Sequence, residues 1–121
     1  MSSTPAAAPP ATLLSDADYQ ARTRAVLDHI ETLIDAWLDS DLIDIDSHRS
    51  GGLLELGFPN GSKIIINTQA PLQELWLAAR AGGFHFRFCD GRWLDTKTSA
   101  EFHALLSTQA SAQAGKALSF L

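Results

Sequence analysis

The stretch LLELGFPNGSKIIINTQAPLQELWLAARAGGFHFRFCDGRWLD, residues 53–95, decides the fold. Much of it alternates apolar and polar at period two, the pattern of strands with one buried face, and its breaks are of turn type. Leu53 to Phe58 gives one strand. Asn60-Gly61 tolerates the positive φ of a type I′ hairpin turn, and Lys63-Ile-Ile-Ile-Asn67 returns as the partner strand. Gln69-Ala-Pro71 is a loop, and Leu72 to Ala79 is a further strand. Gly82-Gly83 turns the chain into Phe84-His-Phe-Arg-Phe88, whose phenylalanines share a face. Asp90-Gly91 then makes another hairpin into Arg92-Trp-Leu-Asp95. Connections this short require antiparallel pairing.

Upstream of this stretch, Ile43, Ile45 and Ser47 alternate with Asp44, Asp46 and His48, which adds a half-solvated strand before the Gly51-Gly52 turn. Further upstream the period changes. Ser15-Asp-Ala-Asp18 is a capping-box-like helix start, and Tyr19, Thr23, Val26, Ile30, Leu33 and Trp37 recur at spacings of three and four. They predict a long helix over about 16–39 with one apolar stripe. Downstream, Thr98-Ser-Ala-Glu101 is a second capping box. It opens a helix with Phe102, Leu105, Leu106 and Gln109 on one face, ended by Gly115, and the apolar tail 118–121 packs back on the domain. The expectation is an α+β two-layer sandwich: an antiparallel sheet of five to six strands, one face covered by the N- and C-terminal helices.

Composition agrees with one small globular domain. The chain has 121 residues, 45% of them hydrophobic and 19% charged, so residues 15–121 form a single domain behind a leader. Residues 1–14, rich in Pro, Ala, Ser and Thr, are expected to be disordered, and they lack the charge pattern of a signal or transit peptide. No apolar run reaches the roughly 18 residues of a membrane helix. Cys89 is the single cysteine, so an internal disulfide is excluded. A cytoplasmic monomer is the expectation.

Charge is the strongest functional signal. Net charge is −5, and residues 1–50 carry nine acids against three arginines. Between Ala25 and His48 stand seven acids and neither Lys nor Arg. This argues against nucleic acid or an anionic membrane as partner and for cations or a basic protein surface. Asp28, Glu31, Asp35 and Asp39, at about 100° per residue, fall within an arc of roughly 80° beside the apolar stripe. The row continues into Asp41, Asp44 and Asp46. Hard cations prefer such oxygen donors, yet a regular helix cannot wrap an ion, so any site is weak and hydrated; a merely solvated face has the same pattern.

Other chemistry finds little support. None of His29, His48, His85 and His103 has a metal-motif partner at i+4; His48 could add a ligand at the strand end, whereas His85 and His103 take structural roles. A nucleophile elbow, a phosphate loop and a Glu-x-x-His di-iron motif are all missing, so no enzyme is expected. In Gln73-Glu-Leu-Trp-Leu-Ala78, Leu75 and Leu77 share one face and Trp76 the other. Alternation alone leaves open which of the two is buried.

Taken in order, Gly61-Ser-Lys-Ile-Ile-Ile-Asn67, Gln69, Pro71, Leu75-Trp76-Leu77-Ala78 and Gly82-Gly83-Phe84-His85-Phe86 resemble the central signature of the bacterial frataxin (CyaY) family, and the likeness runs from about Ser15 to the C-terminus. The resemblance implies an α-β-sheet-α sandwich and a regulatory role in iron–sulfur cluster assembly. It implies weak binding of ferrous and ferric iron on an acidic ridge, here Glu31, Asp35, Asp39, Asp41, Asp44 and Asp46, and docking on the cysteine desulfurase and the scaffold protein. It implies a partner-binding sheet surface at Asn67, Gln69 and Trp76, with Trp76 on the open face. An iron chaperone or a ferroxidase-like storage protein is the alternative. Ala36, Leu38 and Ser47-His48 stand where relatives often carry acids, and Thr68 where they often have a basic residue on the sheet surface.

Overall fold

A computed structural model describes residues 9–121. Helix α1 (Asp16–Asp39) opens as its sequence predicts: Ser15 is the N-cap, its hydroxyl accepting from the Asp18 amide, with Asp16 and Asp18 in the first turn. Its buried stripe is Tyr19, Thr23, Val26, Leu27, Ile30 and Ile34. The apolar face is thus centred slightly later than expected, and Leu33 and Trp37 lie on its flank. The helix ends in a Schellman arrangement. The Leu42 amide donates to the Trp37 carbonyl and the Asp41 amide to that of Leu38, with Asp41 at φ +58° where glycine is usual.

Six strands follow in a simple meander: β1 (Asp46–Ser50), β2 (Leu53–Gly57), β3 (Lys63–Gln69), β4 (Glu74–Ala79), β5 (Gly82–Cys89) and β6 (Arg92–Asp95). Each pairs antiparallel with the next, and sheet order equals chain order. Helix α2 (Phe102–Ala114) returns over the same face as α1. Leu54 and Leu56, Ile64 and Ile66, Leu75 and Leu77, and Phe86 and Phe88 point from the sheet into one core with both helices. Leu118 and Phe120 of the tail are buried in it too, Phe120 edge-on to Trp37 at 4.9 Å.

Several local expectations are corrected. β1 starts at Asp46 rather than Ile43, because β2 ends at Gly57, the register partner of Asp46, and the earlier residues have no strand to pair with. Ile45 is nonetheless buried, so the alternation signalled burial ahead of the ladder. Asn60-Gly61 is not a type I′ turn: only Gly61 has positive φ, and the Gly61 amide donates to the Phe58 carbonyl with Pro59 at the second position. Asn60 instead folds its side chain onto Ser62 and donates to the Gln113 carbonyl of α2. Asp90-Gly91, both at positive φ, is the I′-like two-residue hairpin. Ala70–Leu72 is a 3₁₀ turn, so β4 starts at Glu74 rather than Leu72. The N-cap of α2 is Glu101 itself, whose carboxylate accepts from the His103 and Ala104 amides; Thr98 donates to Asp95 instead. The Met1–Ala8 part of the leader lies outside the described residues. Thr12 and Leu14 are held, however: the Thr12 amide donates to the Phe88 carbonyl, and Leu14 exchanges two hydrogen bonds with the Gln73 side chain.

One buried hydroxyl ties the layers together. Tyr19 Oη donates to the Glu74 carbonyl at 2.6 Å and accepts from the Gln69 amide at 3.0 Å, bridging the ends of β3 and β4 to α1. Burial, with the nearby Glu74 charge, pushes its ionisation above the ordinary tyrosine value despite the opposing Gln69 bond. Tyr19→Phe leaves the Gln69 amide without its partner and should cost about 1–3 kcal/mol in denaturant unfolding. Gly52 makes a second tight contact, since a Cβ there would stand 1.9 Å from Thr68 Oγ1. Gly52→Ala should destabilise by about 1–3 kcal/mol, and Thr68→Ala in the same chain should recover most of the loss.

Candidate functional site

The seven acids from Asp28 to Asp46 separate into two groups. Arg49 of β1, one residue beyond His48 and the acid run, reaches across to α1, and its Nη1 donates to both Asp28 Oδ1 and Glu31 Oε1. These bonds hold the guanidinium above its ordinary ionisation value. The expectation of a row free of bases therefore holds along the sequence but not in space. Asp35, Asp39, Asp41, Asp44 and Asp46 remain, all exposed and none with a salt bridge among the described residues.

Three of these five, Asp35, Asp39 and Asp41, crowd the C-terminal end of α1, whose last turn carries no base. The helix dipole is negative there, so each carboxylate is disfavoured by roughly 0.3–1 kcal/mol, and Asp35 and Asp39 repel at i, i+4. Among the described residues no group of three or more His, Cys, Asp or Glu converges on one metal position. The acids share a field rather than a coordination sphere. His48, exposed on β1, pairs in register with Glu55.

The second surface is the uncovered face of the sheet. Leu75 and Leu77 point to the helices, which places Trp76 on the open face and resolves what alternation left undecided. Asn67 lies beside Trp76 in register and Gln69 beside Glu74, so the three residues singled out in the sequence share one face. Sequence reasoning missed the groups that hold Trp76 in place. Its ring stacks on His85, 4.1 Å apart and 6° from parallel, and its Nε1 donates to Glu74 Oε1 at 2.9 Å. Arg87 Nε donates to Glu74 Oε2 at 2.9 Å. The signal lay in the alternation, since Glu74, Trp76, His85 and Arg87 have equivalent parity across two paired strands. Thr68 is not on this surface: it alternates with Gln69 and faces Gly52 beneath α1.

The whole pattern has counterparts among known proteins. A family model described as a frataxin-like domain matches residues 12–116. The iron–sulfur cluster assembly protein CyaY of Burkholderia mallei (strain SAVP1) is 51% identical over 107 residues, covering 88% of this chain and 98% of its own. The frataxin from Psychromonas ingrahamii superposes with a TM-score of 0.80 at 30% identity, over 89% of this chain and 99% of that one. A trimeric frataxin from the yeast Saccharomyces cerevisiae, complexed with ferrous iron, gives 0.64 at 25% identity, over 89% and 93%.

Glu74 gives the open face an acid sensitivity. Burial alone would raise its ionisation, but hydrogen bonds from Trp76 and Arg87, with the Arg87 and His85 charges, hold it below the ordinary carboxylate value. A carboxylate depressed in the folded state contributes stability that is present above its unfolded value, about 4.3, and lost as pH falls through its lower folded value. Glu74→Gln should therefore be less stable at neutral pH and show a flatter loss of stability below about pH 4.3. Urea midpoints measured from pH 7 down to 3 check this; parallel curves for the two proteins would refute it.

Proposed function

This chain belongs to the frataxin-like family, and from that premise we propose that it serves iron–sulfur cluster assembly as a non-enzymatic, iron-binding regulator. One observation carries the proposal: five exposed carboxylates without a salt bridge among the described residues, three of them set against the dipole at the end of α1. Such an arrangement costs stability and is relieved when a cation arrives. Ferrous or ferric iron is the cation, a choice supported by the yeast relative complexed with ferrous iron. Asp35, Asp39, Asp41, Asp44 and Asp46 act as oxygen donors, largely through the ion's own water. Glu31 joins them only when Arg49 releases it, and Ala36 and Leu38 thin the ridge. Binding is weak because no cage is formed in advance.

The same acids meet a basic surface on the cysteine desulfurase, while Asn67, Gln69 and Trp76 receive the scaffold protein. A half-buried, pre-stacked tryptophan is suited to docking, since little freedom remains to be lost on binding. The protein works in the cytoplasm as a monomer; among the described residues no helix is long and apolar enough to cross a membrane. A second reading, an iron chaperone or ferroxidase-like storage protein, draws on the trimeric yeast relative. It predicts oxygen consumption with ferrous iron above that of buffer.

The triple variant Asp35→Asn, Asp39→Asn, Asp44→Asn tests the leading reading. Its iron affinity should fall by about tenfold, equivalent to about 1.4 kcal/mol, with weaker desulfurase capture. Its thermal stability without iron should rise, because the repulsion and the opposed dipole are gone. Unchanged iron titration and unchanged capture, alongside the stability gain, would reduce the ridge to a solvated face. Capture repeated with a chelator separates docking that needs iron from docking that does not.

A further inference from the structure

We propose that His29 of α1 and His103 of α2 form a second cation site, separate from the acidic ridge, for a borderline transition metal such as Zn²⁺. The two imidazoles meet across the helix layer with centroids 5.8 Å apart and planes at 68°. The contact is edge to face. With bonds of about 2.0–2.1 Å to nitrogen, each centroid stands roughly 3.2 Å from a shared ion, so rings up to roughly 6.4 Å apart can be bridged once their free nitrogens turn to the same ion.

The hydrogen bonds fix which nitrogens are available. His29 Nε2 lies 3.2 Å from the Phe120 carbonyl, which only accepts, so in the neutral ring this nitrogen carries the proton and Nδ1 the lone pair. His103 Nδ1 lies 2.9 Å from the Glu101 carboxylate, so in the neutral ring it carries the proton and Nε2 the lone pair. Neither lone pair has a hydrogen-bond partner among the described residues. A backbone carbonyl behind one imidazole and a carboxylate behind the other are the outer partners that orient metal-binding histidines. Glu101 is itself fixed, because its carboxylate also accepts from the amides of His103 and Ala104 at the start of α2.

Imidazole donors suit zinc, copper, iron and nickel, and the general affinity order places zinc and copper above ferrous iron, whereas carboxylates suit harder cations. Two protein ligands leave the remaining positions to water, so binding is modest. Arg92 and Glu101 are the charged groups lining the same opening, with Phe120 and Leu121 as its apolar wall. Their opposite charges leave the ion's affinity to the histidines. An ion bound here would also link α1, α2 and the tail, since His29 holds the Phe120 carbonyl.

The test is a Zn²⁺ titration of the full chain by calorimetry at pH 7.5, with imidazole ¹⁵N resonances followed by NMR. The proposal expects both histidines to shift with zinc, affinity to fall at least about tenfold in either His29→Asn or His103→Gln, and a loss of similar order in Glu101→Gln, which keeps a capping oxygen. The Asp35→Asn, Asp39→Asn, Asp44→Asn variant should bind zinc as the parent does. Imidazole resonances unmoved by zinc would overturn the proposal, as would histidine variants that bind normally. So would zinc binding lost only in the ridge variant. If one histidine variant fails to fold, the other and the NMR shifts still decide.

Discussion

The buried hydroxyl of Tyr19 is the constraint on which the arrangement turns. It is a single atom that satisfies the Gln69 amide and the Glu74 carbonyl at the point where β3 passes into β4. Buried backbone groups need partners, so α1 can sit on the sheet in only one axial position and rotation. That setting puts Thr23, Leu27, Ile30 and Ile34 over the core and turns Asp35 and Asp39 outward. It also brings Asp28 and Glu31 within reach of Arg49. The same junction starts β4 at Glu74, whose carbonyl faces Tyr19 and whose carboxylate holds Trp76 and Arg87. Helix placement and the shape of the open face are therefore linked through one pair of hydrogen bonds.

Ion pairing divides the charge unevenly along α1. Near its middle, Arg49 compensates two acids and helps fasten the helix to β1. At its end the acids form no salt bridge among the described residues, although the Lys116 ammonium donates to the Leu42 carbonyl just beyond the helix. The Schellman turn even places Asp41 in the left-handed region that glycine occupies more easily. Stability alone would favour a glycine or a lysine in that last turn. A protein that keeps acids there accepts a local cost, which is the usual mark of a surface shaped for binding.

Much of this was legible in the sequence, and the failures have definite causes. The limits of α1, the antiparallel meander and the buried tail followed from periodicity and turn residues. The Asn60-Gly61 pair was misleading: Pro59, which favours the second position of a Phe58–Gly61 turn, was the legible signal, and the contact from Asn60 to Gln113 that fixes it is a tertiary one. The late start of β1 was hidden because alternation reports burial, and Ile45 is buried without belonging to a ladder. Arg49 lay just outside the acid run, so linear spacing missed a pairing that depends on the sheet placing β1 beside α1. Alternation alone could not put Trp76 on a face, which only the family resemblance did, and its partners His85 and Arg87 are cross-strand neighbours visible only through register.

The helix part of the ridge and the stacked tryptophan lie on opposite sides of the sheet with β1 between them, while Asp46, the register partner of Gly57, points to the open face with Trp76. Arg49 contacts α1 from β1, so the acidic end of the helix overhangs that edge, whereas Trp76 sits on the far face in β4. β1 is an edge strand with little burial, made of Asp46, Ser47, His48, Arg49 and Ser50. Charged and polar side chains along an exposed edge discourage another strand from pairing there. A partner that engages both surfaces must curl around β1 without adding a strand to it. It therefore presents cationic side chains to the ridge and a separate element to the open face. Under the proposed function, the edge would set the form of docking: two contacts joined across β1, with specificity shared between the charge of the ridge and the stacked tryptophan.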